Sequence, residues 1–534
     1  MASFALGLEQ LRANNGLPML AVLSAVIVHH AVLKRYEIDH LATQLIAIST
    51  LGFFCVVYAG GFQQAIIIWS SFYTTLSASM LLYRAFFHPL QSFPGPFTAK
   101  LTSWWSVKQM ISSDFTYYQT VLVSLRHKYG DYVRTGPRQI SIFDQKAITP
   151  ILGYNSKTTK GPFYDVLERS LHLNRDKQWH RQQRKIWDNA MKDSLSDYGP
   201  QVEDFTTELL ARIQRAGGKA VPLREWMMHY AYDVMSAMAF GETMGFTTEK
   251  ATPVACQIVE MISDSLKPIG TISLVPWFSK IVTTLTADIG PMKLYNGWTQ
   301  QQLVGRKAMK NPKPDLMGHL LAATPETPEG QHLLFGESRL ILTAGSETAS
   351  TTLTLAFMFL AVHPRYQQLL RQEAENIEYS CLRTQPLLDA ILYETMRLYP
   401  ANYFVPQRVT PPEGLQIPDG PFIPGNIIVS VVLSALARDE RNFRQPAEFI
   451  PERWTSKPEL CINKSAFLPF LTGAYTCAGK NLALMEMRSV VRRVIAEYDV
   501  VLPADFDEVR FFGGIQDPAL TVIPKQEIRF VQRN

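Results

Sequence analysis

The chain has 534 residues, 47% of them hydrophobic and 19% charged, with a net charge of +5 and no basic tract. That composition excludes a disordered chain and, with 33 Pro and 30 Gly free of any three-residue period, a collagen-like one; it also gives no electrostatic footprint for nucleic acid. Five cysteines (Cys55, Cys256, Cys381, Cys461 and Cys477) form no C-x-x-C pair, so a reducing, cytosolic compartment is expected, with neither a disulfide framework nor a structural zinc site.

The apolar excess lies in the first ninety positions. Residues 17–33, 41–59 and 65–83 are each free of Asp, Glu, Lys and Arg, and each is long enough to cross a hydrocarbon core of about 30 Å. His29 and His30 interrupt the first. Three successive spans do not make a cleaved secretory signal, and a chain with one Arg and one Glu ahead of the first span does not make a mitochondrial presequence. Lys34 and Arg35 follow the first span and Arg84 follows the third. Two spans separate these basic sites, so they share a side, and the positive-inside rule makes it the cytosolic one. The extreme N-terminus then lies on the far side.

Phe93-Pro94-Gly95-Pro96 cannot continue a helix and marks the hinge to the body. The expected division is an anchor, residues 1–92, and a catalytic domain, residues 93–534. Within the body, helical patterning covers residues 200–214, 224–240, 333–362, 387–398 and 481–498. Short β-like runs stand at 132–134, 139–143, 427–432 and 521–523. The fold class expected is mostly α with a small β-sheet portion.

Chemistry concentrates near the C-terminus. Phe470-Leu471-Thr472-Gly473-Ala474-Tyr475-Thr476-Cys477-Ala478-Gly479 leads into a helix from about Lys480. Gly473 and Gly479 allow close backbone approach. A cysteine there gains N–H donors and the helix dipole, which favour thiolate over thiol, while Phe470 can keep out water. A thiolate on such a loop suits an axial haem ligand. Upstream, Ala344-Gly345-Ser346-Glu347-Thr348 lies in the long apolar pattern, its small pair leaving space and its acid–alcohol pair able to carry protons. Glu394 and Arg397 stand three apart on one helix face, and Phe449-Ile450-Pro451-Glu452-Arg453-Trp454 follows about fifty residues later.

Together these stretches resemble the cytochrome P450 superfamily. The first resembles its haem-binding signature, the second its central helix, and the third its E-x-x-R and P-E-R-F/W motifs. The resemblance, closest to membrane-bound fungal monooxygenases of secondary metabolism, implies a cytochrome P450 fold behind N-terminal transmembrane helices. It implies haem b (iron protoporphyrin IX) held through Cys477, with Phe470, Gly473 and Gly479 shaping the loop. His180, Arg184 and Arg408 match residues that meet the haem propionates. Glu347 and Thr348 take the proton-relay positions, and Glu394, Arg397 and Arg453 take those of a structural network. Two positions depart from the pattern. Tyr475 stands where Arg or His usually contacts a propionate, and Ala437, in Ala437-Arg438-Asp439, replaces a His.

The function implied is mono-oxygenation of a lipophilic small molecule in a secondary-metabolite tailoring step. The sequence holds no G-x-G-x-x-G for a nucleotide of its own, so electrons are expected from outside, and the resemblance implies NADPH through NADPH–cytochrome P450 reductase as their source. Lys177, Arg181, Lys185, Lys480, Arg488, Arg492 and Arg493 are the expected reductase-docking cations. Substrate contacts are expected at residues 162–173, 341–343 and 401–405. Membrane lipid and the reductase are the partners, nucleic acid is not, and the location is the endoplasmic reticulum membrane, multi-pass, with the catalytic domain facing the cytosol. A haem-thiolate isomerase or dehydratase needing no reductase is the alternative that Glu347–Thr348 weighs against. A non-enzymatic haem-binding membrane protein is a further one.

Overall fold

A computed structural model describes residues 16–166, 169–310, 315–377, 380–381, 383–403 and 405–533. Among them three helices are long and apolar enough to cross a membrane, Gly16–Leu33, Asp39–Gly60 and Phe62–Phe87. Their regular parts are α1 (Gly16–Ile27), α2 (Ala42–Gly60) and α3 (Phe62–Leu82). Large apolar side chains such as Met19, Leu51, Phe54 and Phe62 point outward. Ala21 and Ala25 of α1 and Ala65 of α3 are instead buried, small residues that let helices approach closely without polar glue. His29 does not break its span, because its Nδ1 lies 2.7 Å from the Ser79 hydroxyl of α3.

The connection after α1 touches the body. Glu37 is ion-paired with Arg138 and, at 2.6 Å, with Arg175. Arg84, at the end of the third apolar helix, donates to Leu101 O at 2.7 Å.

The body is built on α4 (Lys177–Ala216), α5 (Leu223–Phe240), α6 (Pro276–Thr286), α7 (Pro328–Val362), α8 (Pro386–Leu398) and α9 (Lys480–Glu497). Asp176 caps α4 by accepting from the Gln178 and Trp179 N–H groups, so this helix begins far ahead of the expected start at Pro200. Pro200 lies inside α4, and the helix runs on past it. Likewise Thr327 caps α7 and Pro328 takes its first position, five residues before the apolar pattern becomes regular. Residues 349–361 of α7, including Leu353, Leu355 and Phe357, are buried and run through the main core.

Strands β1 (Tyr132–Gly136), β2 (Gln139–Ile142), β3 (Thr159–Lys160), β4 (Ala220–Pro222), β5 (Gln407–Val409), β6 (Leu415–Gln416), β7 (Phe422–Ile423), β8 (Ile428–Val431), β9 (Tyr498–Val501) and β10 (Glu527–Gln532) form the β portion. One sheet runs β1-β2-β8-β5-β3, another β4-β10-β9, and β6 pairs with β7. In the first, β3 is antiparallel to β5 with Lys160 opposite Arg408, which brings two cations side by side. The strand expected at 521–523 does not form. Thr521 N–H and hydroxyl go to the Ala401 and Pro400 carbonyls, and Val522 makes only an isolated bridge with Gln516.

Candidate active site

Cys477 sits one turn before α9. Its own N–H donates to Phe470 O at 2.8 Å, closing the loop, while the nearby Gly479 and Lys480 N–H groups favour the charged form of its sulfur. Gly473 has φ +74°, and a Cβ there would lie 2.2 Å from Leu152 O, so glycine is required by both backbone and space. Gly479 differs from expectation, with an ordinary φ of −85° and nothing near its missing Cβ. Burial pushes the Cys477 thiol up, and the two N–H groups together with Arg184 and Lys480 offset this only in part. The loop and helix terminus alone therefore do not make a free thiolate; a metal that takes the proton's place does. Cys477 has an accessible side chain, although the chain packed around its loop is dense enough to raise its thiol.

Phe470 is half-buried and packs on the main core, with Lys480 Nζ 5.9 Å from its ring centroid. Arg184 of α4 donates to Thr476 O, next to the cysteine, and pairs with Asp188 at 2.7 Å. This arginine braces the loop as well as carrying charge.

A second group gathers around Tyr475. Lys160 Nζ and Arg408 Cζ each lie 4.7 Å from its ring centroid, and the His180 ring meets it edge-on at 4.6 Å. Arg408 is buried, donates to Gln407 O and to Tyr164 Oη, and keeps an Nε with no hydrogen-bond partner among the described residues. His180 is not a cation. Burial, then Lys160, Arg184, Arg408 and His172, hold its imidazole down at about 3. Lys160 escaped the sequence reading entirely. Nothing local marks it, and only its register opposite Arg408 brings it here.

On α7, Ala344 is exposed and Thr348 half-exposed within an otherwise buried stretch. Thr348 Oγ1 donates to Ala344 O at 2.8 Å. Glu347 is buried and accepts from Tyr232 Oη of α5 at 2.8 Å; burial pushes its carboxyl up, against the hydrogen bond from Tyr232 and the charge of Arg224. Gly345 also serves packing: a Cβ there would lie 2.5 Å from Met235 Sδ, so its smallness lets α5 pack onto α7.

Behind the cysteine loop, Glu394 accepts from Arg397 (2.8 and 3.0 Å), Arg453 (2.9 Å), Trp454 Nε1 (2.9 Å) and Ile450 N (3.0 Å). Arg397 reaches on to the Ala437, Pro446 and Glu448 carbonyls, so at Ala437 the backbone is what it holds and the missing His is tolerated. The expected docking cations divide. Lys177 is half-buried and Arg181, Lys185 and Lys480 are exposed, whereas Arg488 is buried against Asp389 at 2.7 Å and Arg492 and Arg493 are engaged with neighbouring helices. Arg488 is thus a core ion pair and not a docking residue. Of the expected substrate-contact stretches, positions 167, 168 and 404 lie outside the described residues.

These groups fit haem: an accessible cysteine sulfur on a tight loop, a small-residue step on α7, and a basic cluster whose Arg408 Nε has no partner among the described residues and suits a carboxylate. The cytochrome P450 family model matches residues 94–526. The cytochrome P450 monooxygenase orf5 of Eupenicillium brefeldianum is 35% identical over 473 residues, 86% of this chain and 94% of that protein. The cytochrome P450 monooxygenase FCK2 of Fusarium pseudograminearum is 33% identical over 86% of this chain and 85% of its own length. Tryprostatin B 6-hydroxylase of Aspergillus fumigatus is 32% identical over 92% and 90% respectively. Taken with the mostly helical fold and the cysteine loop, these matches show that the chain belongs to the cytochrome P450 family and is an oxidoreductase of its monooxygenase class.

Proposed function

We propose that the chain is a membrane-held haem-thiolate monooxygenase that inserts one oxygen atom of O2 into a lipophilic small molecule, in a tailoring step of secondary metabolism. The observation that carries this reading is the accessible Cys477 on a loop closed by its own N–H to Phe470 O at 2.8 Å and turned at Gly473, where φ is +74° and a side chain would not fit. Haem b bound there supplies dioxygen activation, assisted by electron push from the thiolate. Arg408, whose Nε has no partner among the described residues, and Arg184 would hold its carboxylates, and the His180 ring adds an N–H donor beside them; Lys160, whose N–H groups go to the Leu171, His172 and Asn174 carbonyls, braces the neighbouring chain. Thr348 offers a hydroxyl on the open side of α7, and Glu347, held by the Tyr232 hydroxyl, is the neighbouring carboxyl for proton delivery. Glu394, Arg397 and Arg453 keep the chain behind the cysteine rigid and take no part in the chemistry.

Residues 1–92 are the anchor and 93–534 the catalytic domain, in the endoplasmic reticulum membrane with the body facing the cytosol. Contact of Glu37 with Arg138 and Arg175 supports this, since it requires the connection after α1 and the body to share a side. Electrons arrive from NADPH through NADPH–cytochrome P450 reductase, for which Lys177, Arg181, Lys185 and Lys480 offer the accessible charge. A lipophilic substrate follows from a site joined to three apolar helices. Cys477→Ala tests the reading. It should abolish the low-energy Soret band of the reduced carbon monoxide complex and all NADPH-dependent turnover. Retention of the band rejects the ligand assignment, and turnover of substrate without NADPH in the wild type favours an isomerase.

A further inference from the structure

The segment from β3 to the start of α4, residues 159–175, borders the candidate site through Lys160, Tyr164 and His172. It is held from three directions. From inside, Leu171 N donates to the buried Glu337 of α7 at 3.0 Å. Within the segment, Lys160 Nζ donates to the Leu171, His172 and Asn174 carbonyls at 3.2, 2.6 and 3.0 Å. The third hold comes from the membrane anchor. Arg175 donates through Nε to Lys160 O at 2.9 Å and through Nη1 to Asp165 at 2.5 Å, and its remaining Nη2 goes to Glu37 at 2.6 Å.

Glu37 belongs to the connection between the first two candidate spans, and its second oxygen takes Arg138. Its side chain is only 20% exposed, and its partners Arg175 and Arg138 are 22% and 32% exposed, so salt screens this three-charge group less than a surface pair. Packing repeats the connection. The turn Asp39–Leu41 lies against Pro162–Asp165, and α6 packs on that turn, on α2 and on Pro162–Asp165 together, with Thr283 Oγ1 donating to Val166 O at 3.2 Å.

We propose that Glu37 is a positioning residue: the first connection of the anchor fixes residues 159–175 and so controls how readily small molecules reach the site, making the anchor part of the site wall rather than a tether alone. The access clause rests on the haem-thiolate reading; the fixing of the segment does not. A carboxylate shared by two guanidinium groups is worth on the order of a fivefold change in a local opening equilibrium.

The test is hydrogen exchange on the full chain in lipid nanodiscs. Glu37→Gln should speed exchange of amides in 159–175 by about fivefold and leave α7 and α9 unchanged. It should also raise the association rate of 4-phenylimidazole, followed by its Soret shift, with the carbon monoxide band intact. In an Arg175→Gln background the same substitution should have a smaller effect, because the two act through one contact. Unchanged exchange in 159–175, an equal increase throughout the body, full additivity with Arg175→Gln, or an unaltered 4-phenylimidazole rate each overturns the proposal. If Glu37→Gln does not accumulate, Arg138→Gln must loosen the same amides, and loosening elsewhere overturns it. Absence of the carbon monoxide band in the wild type rejects haem-thiolate ligation, and the exchange result still judges Glu37.

Discussion

Tyr475 is the residue at which the chain departs from the usual pattern of its family, and its surroundings give a physical reason. Lys160 and Arg408 already stand 4.7 Å from its ring centroid, one on each of two paired strands, so the place that Arg or His takes elsewhere is already surrounded by basic groups. Burial and the neighbouring Arg408 lower the Lys160 ammonium to about 7, so Lys160 is not a fixed charge and adds to the Arg408 guanidinium as pH falls. An aromatic ring beside these groups gains through its face. A further cation instead meets like charge at short range, at roughly 2–4 kcal/mol per pair for the dielectric near a protein surface. Tyr475→Arg should therefore lower the melting temperature and haem retention, and added salt should restore part of both. Tyr475→Phe keeps the ring and should stay near wild type in the same melts. If Tyr475→Arg is as stable as wild type at low salt, the basic groups around Tyr475 do not repel a further cation.

Between elements, the deciding feature is a buried carboxyl that neither the apolar pattern nor any motif marks. Glu337 of α7 accepts from Leu171 N and from Gln183 of α4 at 3.3 Å, and burial pushes it up to about 8 despite those bonds. Its folded value lies above the unfolded one, so its contribution to stability is full below about pH 4.5 and is lost as pH rises through about 8, at about 3–5 kcal/mol. Glu337→Gln keeps an acceptor for Leu171 N and cannot ionise. It should match wild type at pH 5 and exceed its melting temperature at pH 8.5, leaving a residual slope from Glu486, which burial also raises to about 8. Identical pH profiles for the two proteins reject a neutral Glu337.

What was legible in the sequence follows the same division by range. The spans, the cysteine loop and the E-x-x-R pair are local, and the helices that carry them lie where the periodicity places them. Helix starts at Asp176 and Thr327 were missed because capping polar residues lie ahead of the apolar repeat. Lys160, Tyr232, Glu337 and the Arg488–Asp389 pair were missed because their partners lie from 99 to about 250 residues away and leave no local trace.

For the whole molecule the question is which side of the membrane each part occupies, and two independent arguments converge on it. Lys34, Arg35 and Arg84 are the basic residues at the ends of the spans, and the positive-inside rule puts them with the cytosol. Glu37 touches Arg138 and Arg175, which requires the connection after α1 to share the side of the body whatever the charges do. The proposed orientation, with two crossings between Lys34 and Arg84, puts the short connection at Gly61 on the far side, and the N-terminus with it if the first candidate helix also crosses. Glycosylation-site mapping in membranes reads this directly, because only acceptors on the lumenal side are modified. Acceptors inserted before Leu17 and in a lengthened loop at Gly61 should be modified, whereas those after Arg35 and after Lys100 should not. Modification at Gly61 but not before Leu17 means that the first helix lies along the membrane and only α2 and α3 cross. Modification after Arg35 cannot coexist with the Glu37 contacts, so it would reject the orientation and the docking of the anchor on the body together.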